Sequence, residues 1–274
     1  MTPWRRSPFG VIDLNWGLNR SLIWGLIWFI GLISAGCASI PAAERPASLP
    51  PAEGGIERGD LLYAIPRSPD RVRKAALAYE GAAQRRDQAY RGFWMASRAY
   101  AWLVQYASED RTQQEKDIAS AVDLSRRAVA TVPKRAEGHY YLAVALGLFS
   151  QLHAVTNHLS EMAREGALAA AIDPTFDHAG PDRLLGSLYG FAPEPPISFG
   201  DQDKGLEYLR LAVKLAPDEP ENHVRLAELL AAMGERTEAK RQLQTALFLD
   251  SSGNDPTETL AWQLDAKKLW EKLK

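Results

Sequence analysis

Residues 217–250 read PDEPENHVRLAELLAAMGERTEAKRQLQTALFLD and decide the fold of this chain. Their apolar side chains recur every three or four positions, which is the period of an amphipathic helix and not of a strand. Gly234 separates two apolar runs, and glycine suits a helix end because it adopts positive φ without steric cost. The stretch therefore predicts two helices joined by a tight turn.

The same spacing resembles the tetratricopeptide (TPR) unit, a helix pair of about 34 residues. The pattern's leucine–glycine pair, tyrosine, alanine, large apolar residue and preceding proline correspond to Leu226, Ala227, Leu230, Ala239, Leu243 and Pro217. Two positions depart from the pattern, since His223 stands at the usual tryptophan and Ser251 at the closing proline. A lone antiparallel helix pair would show much the same spacing.

Repetition along the chain decides between a lone pair and an array. Four phrases end a helix with apolar residues followed by a proline or serine: AVATVPK (128–134), ALAAAIDP (167–174), LRLAVKLAP (209–217) and QTALFLDS (244–251). Their closing residues lie 41, 43 and 34 positions apart, as in a repeat with insertions. One repeat cannot bury its apolar face alone. The sequence therefore predicts an all-α fold, an α-solenoid of about four degenerate TPR-like helix pairs over residues 60–250.

The units nearer the N-terminus carry the same pattern with interruptions. Ser68 is predicted to cap a helix that starts at Pro69, and the expected helices cover about 69–84, 90–107 and 115–131. The stretch 151–166 lengthens or kinks the third unit. In APEPPISFG (192–200), three prolines within four residues exclude a helix and predict an inserted loop.

The last segment, from Asp255 onward, is predicted to be a separate helix that covers the final repeat. Asp255 caps it, Pro256 sits in its first turn, and Glu258 completes a capping box. One apolar stripe follows along this helix: Trp262, Ala266, Leu269 and Leu273. A solenoid needs such a cap over its exposed end.

The first 36 residues have the layout of a secretory signal. Basic residues precede the uncharged run 21–36, whose 16 residues are short for a bilayer span of roughly 20. Cys37, the single cysteine, follows directly, so the segment resembles a bacterial lipoprotein signal in which that cysteine is acylated. An uncleaved membrane anchor is the alternative. By the same resemblance, Ala38 favours anchoring to the outer membrane and therefore a periplasmic location.

The predicted organisation thus has three parts: a signal peptide (1–36), a proline-rich tether (37–59) and a helical domain (60–274). The tether is too polar to bury a core and is extended by its prolines.

Composition and motifs give no sign of an enzyme. The net charge of −2 gives no reason to expect nucleic acid. The five histidines are scattered, and His153 and His158 are five apart, off a common helical face, so a metal pair is not expected. The sequence contains neither a glycine-rich phosphate loop nor a serine elbow. We therefore predict no catalytic residues, no metal and no cofactor.

A binding face is predicted on the concave side of the array. Trp94, Arg98 and Trp102 are four apart and share a helical stripe. In TPR arrays the first helices of successive units line the concave surface, which by this resemblance adds Tyr140, Val144, Leu148 and Arg183. Tryptophan, tyrosine and arginine dominate binding hot spots. For either tryptophan, a place in the core is the alternative.

The segment from about residue 94 to 249 also resembles the TatT family, the T-component lipoproteins associated with TRAP transporters. The features that carry this resemblance are the lipoprotein start, the degenerate repeats, and AAIDPTFDHAGPDRLLGSLYG followed by a proline-rich insertion. The resemblance implies a periplasmic, membrane-tethered protein that associates with a solute-binding receptor and helps to pass an apolar or organic-acid ligand.

Two other functions stay open from the sequence. One is a scaffold lipoprotein for outer-membrane or pilus assembly, and the other is a carrier with a small ligand inside the solenoid. Homo-oligomerisation is open as well.

Overall fold

The computed structural model describes residues 55–107 and 110–274, and within these ranges the chain forms eleven α-helices and no strand. The helices are α1 (Gly55–Tyr63), α2 (Pro69–Ala83), α3 (Ala89–Tyr106), α4 (Arg111–Thr131), α5 (Ala136–His153), α6 (Leu159–Ile172), α7 (Phe176–Phe191), α8 (Gln202–Leu215), α9 (Pro220–Ala232), α10 (Arg236–Phe248) and α11 (Pro256–Lys272). The predicted signal segment and most of the tether lie outside the described residues.

Four helix pairs follow one another as predicted: α3 with α4, α5 with α6, α7 with α8, and α9 with α10. First helices of successive units also touch, since α5 packs against both α3 and α7, and α7 packs against α9. Contacts of this kind stack the units into a solenoid with the first helices along one face. The predicted all-α solenoid is therefore confirmed.

One helix was not predicted. The helix α1 begins at Gly55, so residues 55–59, which the sequence assigned to the tether, are helical. Ile56 and Tyr63 are buried against α2 and α3. A helix of nine residues shows too few turns for its apolar period to stand out.

Two helix ends have the glycine break and the N-cap that the sequence predicted, because no distant residue competes for their hydrogen bonds. Gly234 has φ of +88° after α9, and the Glu235 amide donates to the Leu230 carbonyl at 2.8 Å, as expected. The Asp255 side chain caps α11 by accepting from the amides of Thr257 (3.0 Å) and Glu258 (3.4 Å).

Two predicted caps are wrong. Ser68 precedes α2 and Pro69 stands at its start, but the serine side chain makes no capping hydrogen bond. Glu258 does not complete a capping box with Asp255. Its carboxylate instead accepts from the Arg67 guanidinium at 2.5 Å. A charged donor is a stronger partner for a carboxylate than a backbone amide.

The interruptions lie where the sequence placed them. Ala154 ends α5 in the left-handed conformation with φ of 53°, and α6 begins only at Leu159, which explains the irregular stretch 151–166. The proline-rich insertion forms no helix between α7 and α8. On α11 the predicted stripe faces the array, because Trp262, Ala266 and Leu273 are buried.

None of the helices in the described ranges has the length and apolar character to cross a bilayer.

Gly186 provides a test of the helix packing. A Cβ added there would lie 2.5 Å from Leu209 Cγ and 2.9 Å from the Leu209 nitrogen, so α7 and α8 would have to separate. We expect Gly186→Ala to lower the free energy of unfolding by about 1–3 kcal/mol, measured by urea denaturation. Gly147→Ala is the matched control, since its Cβ would meet only the flexible end of Met162 at 3.0 Å. Equal stability of the two variants would contradict this close packing.

Candidate functional site

The concave side of the solenoid contains a half-open cavity of about 380 Å³. Its walls come from α3 and α5, from the starts of α7, α9 and α11, and from the turn between α1 and α2. First helices of the repeats thus form the sides, and the α1–α2 turn and the start of α11 form the rim. We call this cavity the chamber.

The two ends meet across the mouth of the chamber at Arg67. Its backbone amide donates to Asp255 at 2.7 Å, and its guanidinium donates to Glu258 at 2.5 Å and to the Tyr63 carbonyl at 3.1 Å. Asp255 lies 188 positions further along the chain. These bonds connect the α1–α2 turn to the first turn of α11 and close the concave face on that side.

Arg98 projects from α3 into the chamber. Its guanidinium lies over the Tyr63 ring at 4.1 Å from the centroid and near the Trp94 ring at 5.3 Å. The Arg98 Nε has no hydrogen-bond partner, and no carboxylate of the described residues forms an ion pair with this guanidinium. Arginine remains charged in any protein environment. The chamber therefore contains one positive charge with no acidic partner among the described residues.

Arg183, by contrast, pairs with two carboxylates and holds a strained turn. It donates to Asn222 Oδ1 at 2.9 Å and to the Asp177 carboxylate at 3.4 Å, and its Nε lies 3.6 Å from Glu221. Asp177 also accepts from the Tyr140 hydroxyl at 2.6 Å.

The strained turn comprises Asp177, His178 and Ala179, whose φ values are 52°, 55° and 61°. Non-glycine residues in this region cost roughly 1–3 kcal/mol each and persist only where the surroundings fix them. The His178 carbonyl accepts from Arg183 at 3.3 Å and from Asn222 at 3.1 Å, and these bonds fix the turn. Strain of this type clusters at functional sites.

Aromatic rings form the apolar part of the wall. Trp102 and Tyr106 have centroids 5.4 Å apart, and Tyr140 and Tyr141 are 5.1 Å apart. The indole nitrogen of Trp102 is buried without a hydrogen-bond partner. Burial raises the pKa of the Tyr106 and Tyr141 hydroxyls, so both groups stay protonated and can donate.

Several carboxylates complete the lining. Burial raises the pKa of Glu219, and it raises the pKa of Glu258 to about 7 despite the opposing attraction of Arg67. Asp177, Glu221 and Asp255 each face an arginine. In the part of the chain that the structure describes, no group of three His, Cys, Asp or Glu could hold a metal ion.

Five of the seven predicted face residues line the chamber: Arg98, Trp102, Tyr140, Val144 and Arg183. Trp94 lies beside it, 9 % exposed, and stacks on Tyr141 at 5.7 Å. Leu148 is buried in the core cluster and is not part of the wall. Their role in binding stays a prediction.

The sequence did not predict the residues that form the rim of the chamber. Tyr63 and Arg67 belong to a turn before the repeats, and Glu258 belongs to a helix interpreted only as a cap. The strongly polar first turn of α11 was the one signal available for the rim. Local spacing could not reveal the contact itself, because it does not indicate which distant segment a terminal helix touches.

Comparison with known proteins gives the fold. A thermophilic TPR protein of Thermus thermophilus, TTC0263, is 20% identical with a TM-score of 0.58, over 79% of this chain and 97% of that chain. YrrB, described as a TPR protein with an unusual peptide-binding site, is 15% identical with a TM-score of 0.45, over 78% and 90%. MamA is 17% identical with a TM-score of 0.44, over 70% and 91%.

The likeness to TTC0263, together with the helix order, shows that this chain has a TPR-type fold. No protein-family model matches the chain, and no curated protein matches it.

Asp182, the neighbour of Arg183 on α7, gives a pH-dependent prediction. Its side chain is 2 % exposed, its Oδ2 has no hydrogen-bond partner, and burial raises its pKa to about 6. The folded protein holds this proton more tightly than the unfolded chain does, so the stability that Asp182 contributes is present below about pH 4 and is lost as the pH rises through about 6.

We therefore expect Asp182→Asn to be more stable than the wild type at pH 8, by roughly 2–3 kcal/mol, and to show little of this gain at pH 4. Chemical denaturation at both pH values measures the difference. Asp87→Asn, at an exposed carboxylate, is the control. A gain of the same size at both pH values would show that ionisation of Asp182 is not the cause.

Proposed function

We propose that this protein is a membrane-tethered, non-enzymatic TPR-type binding protein that holds a small ligand in its chamber and exchanges that ligand with a periplasmic partner. The partner in this proposal is the solute-binding receptor of a TRAP-type transport system. The observation that carries the ligand-binding part is the closure of the concave face by Arg67, Asp255 and Glu258.

Closure favours a small ligand over an extended peptide. A peptide that docks along a solenoid needs an open groove, whereas here the α1–α2 turn and α11 meet across the mouth. The remaining volume of about 380 Å³ falls within the range of about 300–1,000 Å³ of small-molecule pockets. For the same reason, the chamber favours a ligand carrier over an assembly scaffold, whose docking face would have to be open.

The location of the protein in this proposal comes from the sequence. A lipidated Cys37 would tether the helical domain through the proline-rich segment that follows it, and a multiply acylated residue supplies the several chains that firm anchoring needs. The tether then allows the domain to reach a soluble receptor while it stays at the outer membrane.

The mouth contact predicts how well a ligand is retained. Arg67→Ala removes the guanidinium that pairs with Glu258, so a bound ligand should leave faster. Native mass spectrometry of protein purified from membranes measures this, because a bound ligand adds mass that disappears on denaturation. Arg85→Ala, which removes only an exposed ion pair with Asp87, is the matched control.

We expect the wild type and Arg85→Ala to retain the added mass and Arg67→Ala to lose most of it. If the wild type carries no ligand, or if Arg67→Ala retains it equally well, the chamber does not act as a closed ligand site.

The tether makes a separate prediction. Cys37→Ala removes the acylated residue, so the protein should either leave the membrane fraction or accumulate unprocessed at the inner membrane. Membrane fractionation and the mass of the N-terminal peptide distinguish these results from wild-type behaviour. A variant that fractionates and migrates like the wild type would instead support an uncleaved anchor.

A further inference from the structure

We propose that the ligand of the chamber is an uncharged sugar, whose hydroxyl groups bond to the polar groups of the wall and whose C–H faces pack on its aromatic rings. The inference rests on the proposed function, since it names the chemical class of the ligand that the chamber holds. Two properties of the lining carry it: several of its hydrogen-bonding groups have no partner within the described fold, and its carboxylates outnumber its arginines.

The polar atoms without partners require a ligand that can accept hydrogen bonds. Among the described residues, no partner bonds to the Arg98 Nε, the Trp102 indole nitrogen or the Thr259 hydroxyl, and all three side chains line the chamber. The two nitrogens can only donate, so they need acceptor oxygens. Buried polar groups in folded proteins nearly always find a partner. An ammonium group has no acceptor to offer them, which argues against a simple amine.

The carboxylates of the lining argue against an anion. Burial raises the pKa of Glu219, and it raises the pKa of Glu258 to about 7, so these negative charges are already costly to hold. A carboxylate or phosphate on the ligand would add like-charge repulsion. Five carboxylates share the lining with three arginines: Asp177, Glu219, Glu221, Asp255 and Glu258 against Arg67, Arg98 and Arg183.

A hydroxyl group satisfies both kinds of wall group without adding charge. It donates one hydrogen bond and accepts others, so it can bond to a carboxylate and to an N–H at the same time. Glu219 is available as such an acceptor, because it accepts from the Glu221 amide at 3.2 Å and forms no ion pair within the described part of the chain. A purely apolar ligand would instead leave these polar groups buried and unpaired.

The aromatic rings of the lining supply the surfaces on which a sugar packs. The C–H faces of a hexose ring are apolar and its edge is polar, which matches a wall where rings lie between charged groups. The Trp102 and Tyr106 rings, for example, have centroids 5.4 Å apart beside the acidic starts of α9 and α11. Six rings line the chamber: Tyr63, Trp102, Tyr106, Tyr140, Tyr141 and Trp262.

The test measures binding of glucose, galactose and mannose to the purified full chain by calorimetry. Each hexose is compared with its uronate, which adds a negative charge, and with its 2-amino derivative, which adds a positive charge. We expect at least one hexose to bind with a sub-millimolar dissociation constant, and both of its charged derivatives to bind at least about tenfold more weakly. Equal binding of the methyl glycoside points to the end of a longer glycan, and weaker binding points to the free sugar.

Two conservative variants locate the binding site. Trp102→Phe keeps an aromatic ring but loses the indole N–H, so we expect it to weaken binding of the hexose by about tenfold or more. Trp94→Phe is its matched control, because the Trp94 indole nitrogen also has no partner among the described residues but lies outside the lining. Melting curves verify that both variants fold.

Glu219→Gln removes one negative charge and keeps an acceptor oxygen. It should therefore bind the hexose nearly as well as the wild type and reduce the preference for the hexose over its uronate by about threefold or more. Glu207→Gln, at an exposed carboxylate outside the chamber, should leave this preference unchanged.

Three results would overturn the assignment: no binding of any hexose, binding of a charged derivative as tight as that of its hexose, or hexose binding that Trp102→Phe leaves unchanged. If native mass spectrometry finds a retained ligand of another class and no hexose binds, the sugar assignment is wrong and the proposed function stands. If the protein retains no ligand and binds no hexose, both are wrong.

Discussion

The contact of Arg67 with the first turn of α11 is the constraint on which the form of the concave face depends. A solenoid holds its shape through contacts between neighbouring units, so its two ends have no intrinsic reason to meet. Here one residue before the repeats bonds to Asp255 and Glu258 after them. The capping helix therefore covers the last repeat and also closes the mouth of the chamber. Because of this second role, the concave surface becomes a half-open chamber bridged on one side.

Carboxylates outnumber arginines in the lining of the chamber, where Arg67 and Arg183 each lie near two carboxylates. Replacing a buried ion pair by apolar residues is often neutral or stabilising, so such pairs are weak evidence for stability. Arg183 instead has a positioning role, because with Asn222 it holds a left-handed turn that non-glycine residues resist. Arg98 has no comparable structural duty towards a carboxylate.

The departures from expectation share one physical cause, competition between a local partner and a distant one. Spacing and residue type predicted the glycine break at Gly234 and the Asp255 cap, since both depend on backbone groups a few residues away. The same rules assigned Glu258 to a capping box, but a guanidinium 191 positions away attracts the carboxylate more strongly. Likewise, the stripe on α3 was predicted, whereas the burial of Trp94 against Tyr141 depends on how α5 packs beside it.

The sequence by itself determined the all-α class, the repeat organisation, the inserted loop and the apolar stripe of the final helix, because each follows from periodicity or from the backbone chemistry of proline and glycine. It also indicated most of the side chains that face inward, since a repeat register assigns a face to every position. The tertiary structure alone decided that the concave face is bridged on one side, which arginine of the chamber has no ion pair with a described carboxylate, and where the backbone is strained. These features arise from groups far apart in the chain, whose meeting is set by the curvature of the whole array and by the competition for buried hydrogen bonds.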